Sequence, residues 1–374
     1  MAVERSAIRL LLERARRAGL VPGAVAAWGE GKSGDPQTVA HGAAAELPQP
    51  VPVTPQTIYD LASLTKPLCT TTLLLLAVRE GRLALDTAVQ ELLPMARGKP
   101  VGELTIRHLA THTSGLPGWL PLYALAKGKR ERALPVLVDT PLSARPGTRV
   151  TYSCPGFILL GLLLEVAFGQ AIGECFRVRI ALPLGLQAGF DFSPAGRHIA
   201  AGAQHPSAEE ALLSQLGFAH DARWLPASHD GAPDDGNCRF LGGAAGNSGL
   251  IADATSNFTL AGQYLKGVSG LLDAEEIELA THNYTPGLEQ ARGLGWQLAA
   301  SPGSSAGPAL PPHAFGHNGF TGTSVWVDPE QGRVMLLLAN RNHPSHRGVD
   351  LHPLRRRFHS LVCGLQKDAR SAAL

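Results

Sequence analysis

The stretch Tyr59-Asp-Leu-Ala-Ser63-Leu-Thr-Lys66-Pro67 decides how the chain is read. A serine followed three residues later by a lysine on one helical turn sets a hydroxyl beside an amine. That pairing activates a serine as a nucleophile without a histidine partner. Pro67 fits a helix only in its first turn. Thr65 through Arg79 therefore reads as a buried helix ending at Gly81, with Ser63 at its N-terminus. The chain has seven lysines, and only Lys66 has a serine three positions before it. Taken alone, the pair also describes a solvated helix face, so its meaning depends on the residues downstream.

Four further motifs come in order. Leu109-Ala-Thr-His112-Thr-Ser-Gly115-Leu-Pro117 is first, then Pro146-Gly-Thr-Arg-Val-Thr-Tyr152-Ser153-Cys154-Pro-Gly156, a turn leading into an apolar helix. A glycine-rich run from Asp235 to Leu250 comes next, and His317-Asn318-Gly319-Phe320-Thr321-Gly322 opens a strand pair. With these motifs in this order the chain resembles the serine β-lactamase family in its broad sense. That family spans class C β-lactamases, DD-peptidases (penicillin-binding proteins) and related esterases and amidases. The resemblance runs from Pro22 to Asn340.

The resemblance implies that Ser63 is the nucleophile, and that Lys66 and Tyr152 move its proton. It implies an oxyanion hole from the N–H groups of Ser63 and Phe320, and substrate contacts at Cys154, His317, Asn318 and Gly319. An N–H at a helix start suits a developing oxyanion, and the helix dipole adds to it. A lysine ordinarily titrates near ~10.4. Partial burial and a neighbouring cation would lower that, and Lys66 would lower a nearby phenol. Two positions depart from the family pattern. Cys154 stands where the family has the Asn of Tyr-x-Asn, and a thiol is a poor hydrogen-bonding replacement. His317-Asn318-Gly319 stands in place of Lys-Thr-Gly, and a histidine is mostly neutral at pH 7. Both weaken recognition of penicillins or D-Ala-D-Ala termini and favour the esterase-like branch.

Other histidines invite a metal reading. His108 with His112, and His313 with His317, have the spacing of a zinc pair. Neither has the interposed Glu of a metalloprotease, and His313 lies in a Pro-rich loop. His112 is expected instead to bond backbone near the site. The Gly242–Gly249 run has no following lysine to make it a phosphate loop; close backbone packing beneath the site accounts for it. No metal and no cofactor are expected.

Bulk properties agree with an ordinary globular protein. Hydrophobic residues make up 44% and charged residues 17% of 374, enough for a large core and two lobes. Net charge is +2, with no basic block, so nucleic acid is excluded as a partner. The longest aliphatic runs, within 73–78 and 157–164, are too short to span a bilayer. Five cysteines without paired or metal-type spacing point to free thiols in a reducing compartment. Ile8, Leu11, Leu12 and Ala15 repeat at helical spacing among charges, unlike a secretory signal. A cytoplasmic location is the expectation, with a small molecule as the partner.

Short strands are predicted at 23–28 and 37–41, and the prolines of 47–55 argue for irregular chain. Helices are predicted at 104–111, 120–125, 157–169, 257–266 and 273–282, with long excursions over 186–240. Strands at 293–300, 324–328 and 333–340 come after these, the last two joined by Pro329-Glu-Gln-Gly332, then a helix near 351–365. This is an α+β chain of β-lactamase/transpeptidase type. Both termini (1–62 plus 241–374) build an antiparallel sheet flanked by helices, and 63–240 forms an inserted, mainly helical lobe. The site is expected at their junction. The leading functional reading is a serine hydrolase forming an acyl-enzyme with a small ester or amide. A β-lactamase, DD-peptidase or D-amino-acid amidase is the alternative. A catalytically silent binding protein of the same fold is a third reading, which the intact Ser63, Lys66 and Tyr152 oppose.

Overall fold

Alternation along the strands sorts the apolar residues of the two chain ends into two cores. The computed structural model describes residues 5–31, 34–46, 48–190, 198–202, 207–227, 231–268, 270–343 and 349–364. The chain opens with helix α1 (Arg5–Arg17), strands β1 (Gly23–Glu30) and β2 (Gln37–Ala45), and a two-residue β3 (Val51–Pro52). Its middle carries β4 (Tyr59–Asp60), helices α2 (Thr72–Arg79) and α3 (Cys154–Phe168), β5 (Ala188–Gly189), β6 (Ile251–Ala252) and helix α4 (Ala254–Gly262). It closes with β7 (Gln297–Leu298), β8 (Phe315–Asn318), β9 (Ser324–Asp328), β10 (Arg333–Ala339) and helix α5 (His352–Val362).

Seven strands form one sheet in the order β3-β2-β1-β10-β9-β8-β7, with every neighbouring pair antiparallel. The first and last thirds of the chain meet at its centre, where Ala24 pairs with Ala339 and Trp28 with Met335. On one face Ala24, Ala26, Trp28, Met335, Leu337 and Trp326 pack against Ile8, Leu11, Leu12 and Ala15 of α1 and Leu354 and Phe358 of α5. On the other, Val25, Ala27, Val325, Val334 and Leu336 join the large core containing Leu73–Leu76, Leu159 and Phe258. Period-two alternation is what permits two cores from one sheet, and each fully buried Leu or Phe contributes about 1.5–3 kcal/mol.

A second, three-stranded sheet, β4-β6-β5, lies just ahead of Ser63. Tyr59 and Ala188 both pair with Ala252, Leu61 N–H donates to Leu250 O at 2.9 Å, and Leu250 N–H donates to Thr65 Oγ1 at 3.1 Å. Residues 59–65 are thus fastened along 250–252.

Several elements differ from expectation. The helix expected over 65–79 is three pieces: a 3-10 turn at Ala62–Leu64, a π turn at Lys66–Thr71, and α2. Pro67 has no N–H to give, and its freed neighbourhood is bound by side chains: Tyr264 donates to Pro67 O at 3.0 Å and Thr72 to Leu68 O at 3.0 Å. Val51–Pro52 pairs at the sheet edge, where proline is tolerated. The 186–240 region holds helices at Ser207–Gln215 and Gly236–Phe240 and a 3-10 stretch at Ala219–Trp224. Of 293–300 only Gln297–Leu298 is strand. The histidine motif opens the β8–β9 pair from within β8, where His317 faces Val325 and Asn318 faces Ser324, a strand that the sequence reading does not place. Among the described residues no single helix is long and apolar enough to cross a membrane.

Candidate active site

Ser63 sits in the turn that leads into the π turn, partly exposed, while Lys66 behind it is 0% exposed. The Lys66 ammonium donates to Ser63 Oγ at 3.1 Å and to Asn247 O at 2.9 Å, with Cys154 Sγ at 3.7 Å. The residue before the nucleophile, Ala62, has φ +46°, a left-handed conformation that costs a non-glycine residue about 1–3 kcal/mol. Asp60 holds it: its Oδ1 accepts from Ala62 N–H at 2.8 Å, and its Oδ2 from Asp234 N–H at 2.8 Å.

Tyr152 arrives from the opposite side, on the segment that caps α3. Ser153 caps the helix, accepting from Gly156 N–H at 3.0 Å and donating to Pro117 O at 2.8 Å. Thr151 N–H donates to His112 O at 2.9 Å and Ser153 N–H to His112 Nδ1 at 3.0 Å. With Nδ1 an acceptor, His112 is the neutral Nε2–H tautomer. Its ring lies 4.6 Å from that of Tyr152 and 4.9 Å from that of Phe157. His112 thus bonds backbone beside the site, as expected, and so positions Tyr152, while His108 accepts Thr105 N–H at 3.2 Å at a helix start; the two do different work. The Lys66 Nζ lies 5.0 Å from the Tyr152 ring centre.

The third wall is the end of β8. His317 shares the site-facing side of the strand, 5% exposed, its ring 5.7 Å from that of Tyr152. Its Nδ1 donates to Asn318 O at 2.9 Å, which leaves Nε2 an acceptor. A Cβ on Gly319 would collide with Thr323 Oγ1 and Leu61 O, so glycine is what lets this backbone close on the nucleophile's loop. Thr321 Oγ1 donates to Asp60 O at 2.7 Å and Thr323 Oγ1 to Leu61 O at 3.2 Å. Those bonds fix the Phe320 amide relative to Ser63. The Phe320 N–H has no backbone partner among the described residues, and its side chain, 50% exposed, stands at the rim.

Asn318 is corrected. Its side chain lies on the far face of the sheet, where Oδ1 accepts from Ser305 Oγ at 2.8 Å and Ser305 in turn accepts from Trp326 Nε1 at 3.0 Å. Neighbouring residues of a strand point to opposite faces, so a site-facing His317 excludes the Asn318 side chain from the site. Gly319 likewise serves by its missing side chain.

A family signature described as Beta-lactamase matches residues 9–359. The chain belongs to the β-lactamase family. A putative D-alanyl-D-alanine carboxypeptidase of Escherichia coli (strain K12) is 28% identical over 343 residues, covering 85% of this chain and 75% of the relative. The solved structure of EstCE1, a hydrolase with promiscuous acyltransferase activity, matches with TM-score 0.72 at 21% identity, over 95% of this chain and 98% of that one. A class C β-lactamase from Rhodobacter sphaeroides matches with TM-score 0.69 at 23% identity, over 96% and 99%. These structures share the fold, and the chain is a hydrolase of the serine β-lactamase type.

Within this β-lactamase-family frame the electrostatics differ from expectation. Burial pulls the Lys66 amine down, but Cys154, Tyr152 and Asp235 beside it favour the cation and its pKa ends above the ordinary value. Burial pushes the Tyr152 phenol up more than Lys66 pulls it down. The Cys154 thiol is also raised, chiefly by burial. The resting pair is thus a cationic lysine and a neutral phenol. Burial, Arg292 and Lys66 hold His317 well below the usual imidazole range.

Four residues of the site escaped sequence reasoning. Asn247 supplies the carbonyl that Lys66 binds. Asp235 accepts from Asn247 Nδ2 at 3.0 Å and from Cys238 N–H at 2.7 Å, holding that loop. Asp60 stands inside the motif first quoted, but its role shows only once residue 234 is beside it. Arg292 is 5% exposed, with its guanidinium carbon 5.7 Å from the Tyr152 ring centre; no local pattern in Arg-Gly-Leu-Gly-Trp marks it.

Proposed function

We propose that the protein hydrolyses a small ester or amide through an acyl-enzyme on Ser63. The observation that carries this reading is the Lys66 amine, sealed from solvent, 3.1 Å from an accessible Ser63 hydroxyl. Once the Lys66–Tyr152 pair has lost a proton, it takes the one from Ser63 as Oγ attacks the carbonyl carbon. The N–H groups of Ser63 and Phe320 stabilise the oxyanion. The same pair then gives the proton to the leaving group, and water cleaves the acyl-enzyme in the reverse sense. Cys154 in place of an amide and a neutral His317 favour this esterase-like chemistry over β-lactam turnover. The five cysteines are unpaired, which supports a reducing, cytoplasmic setting.

The test is direct. A fluorophosphonate probe followed by intact-mass analysis should add one label to the wild type and none to Ser63→Ala, and p-nitrophenyl ester hydrolysis should fall to background in that variant. Labelling that persists in Ser63→Ala would overturn the assignment.

A further inference from the structure

Away from Ser63, one cavity joins an apolar lining to charges of both signs. It holds about 170 Å³ beside α3, the helix Ala133–Val138 and the 241–246 loop. That is room for a small organic molecule, since a void of roughly 150 Å³ accommodates benzene. Leu134, Ile158, Leu162, Ile172 and Leu241 supply its apolar lining, and Arg130, Glu131 and Glu165 its charges. Arg130 leans over Gly242, where a Cβ would meet its Nη1 at 2.7 Å. Its guanidinium has no hydrogen bond or ion pair among the described residues. Glu165, partly buried on α3, accepts the Ile172 N–H on Oε1 at 2.8 Å, and its Oε2 has no partner among the described residues. Burial raises the Glu165 carboxyl, while the Ile172 bond and the Arg130 charge draw it down. Arginine and carboxyl thus share the cavity without pairing.

We propose that this cavity binds a free hydrophobic α-amino acid of about leucine size. The ligand carboxylate pairs with Arg130, whose planar guanidinium matches it in shape. The ammonium donates to Glu165 Oε2, with Glu131 adding negative charge at the same cavity. The branched side chain covers the apolar lining and displaces water from it. The charges decide against simpler occupants. An alkyl carboxylate would meet two carboxyls for one arginine, and an alkylamine would leave the arginine unmatched. A zwitterion answers both signs. A mostly apolar pocket with a few placed polar groups is the usual form of a small-molecule site. No bond is made or broken there, and the proposal stands apart from the chemistry at Ser63.

Calorimetry tests it with leucine, with 4-methylpentanoate, which lacks the amino group, and with 3-methylbutylamine, which lacks the carboxylate. Leucine, in at least one enantiomer, should bind the wild type saturably. Each one-headed analogue should bind about tenfold more weakly or worse, the low end for a charged hydrogen bond. Arg130→Ala should weaken leucine by a similar factor and leave 3-methylbutylamine unchanged. Glu165→Gln, which keeps an oxygen for the Ile172 N–H, should weaken leucine and the amine and spare 4-methylpentanoate. General loosening of the fold would not produce that crossed pattern. Leu162→Trp should fill the apolar part and abolish binding; if it does not fold, the two charge variants decide. Binding should persist on protein whose Ser63 carries the fluorophosphonate. Absence of leucine binding, its loss on labelling, or charge variants that act on all three probes alike would overturn the site. A preference for 4-methylpentanoate over leucine would overturn the zwitterion and with it the proposal.

Discussion

Lys66 is surrounded by acceptors: the Ser63 hydroxyl, the Asn247 carbonyl and the Cys154 sulfur. Such a setting favours the ammonium, which can give a proton but cannot take one from Ser63. With both Lys66 and Tyr152 raised, the pair holds its extra proton through neutral pH, and the competent form grows as pH increases. kcat/KM for a neutral ester should therefore rise about tenfold per pH unit from neutrality upward, before levelling off. A flat profile there would mean that the pair has already lost its proton. Lys66→Ala and Tyr152→Phe should each lower kcat by at least ~10²-fold. The double variant should be little worse than either alone, because the two act as one unit; multiplicative losses would show separate proton paths.

At the scale of elements, the distance between α3 and the Gly242–Gly249 loop sets where the lysine's carbonyl anchor lies. A Cβ on Gly246 would collide with Phe157 O and the Gly161 backbone, so helix and loop touch backbone to backbone. Thr70 Oγ1 reinforces this by donating to Gly246 O at 2.7 Å. Gly246→Ala should destabilise the protein by roughly 1–3 kcal/mol, as overpacking does, and lower kcat by displacing Asn247. Urea denaturation and steady-state kinetics read the two effects, and a fully stable variant would refute the contact. The same contact shows what the sequence could disclose. Glycine density announced close packing, and Ser63, Lys66, Tyr152, His112 and the β9–β10 hairpin were legible because each lies in a local pattern with its own chemistry. The face of Asn318 was readable too, from strand alternation once His317 was placed on the site. Asp60, Asp235 and Arg292 were not, because a polar residue's role depends on what long-range packing sets beside it. The helices of 207–240 are short, and Asp235 becomes a cap only when Gly236–Phe240 is seen to be helical.

Across the whole molecule, two sets of buried groups pull stability in opposite directions with pH. Burial and the charge of Asp234 raise Asp60 to about 7, and burial with Asp235 raises Glu209 to about 8. A carboxyl raised in the folded state favours folding while protonated. Its contribution is full below the ordinary carboxyl range, is lost progressively as pH climbs above that range, and is gone once pH has passed through about 7 for Asp60 and about 8 for Glu209. His112 and His317 are held well below 6.5, and His359 falls to about 4, each mainly by burial. These bind protons more readily when unfolded, so their contribution is lost as pH falls below the ordinary imidazole value. The denaturation midpoint should therefore peak in mildly acidic to neutral solution and decline on both sides. Glu209 tests the alkaline limb cleanly. Its Oε1 accepts from Gly236 N–H at 2.9 Å, a bond that an amide oxygen keeps, while the ionisable charge disappears. Glu209→Gln should flatten the decline from neutrality up to about pH 8 and leave the acid limb in place, as read by thermal melting across pH. An alkaline decline as steep as in the wild type would mean that the Glu209 carboxyl does not drive it.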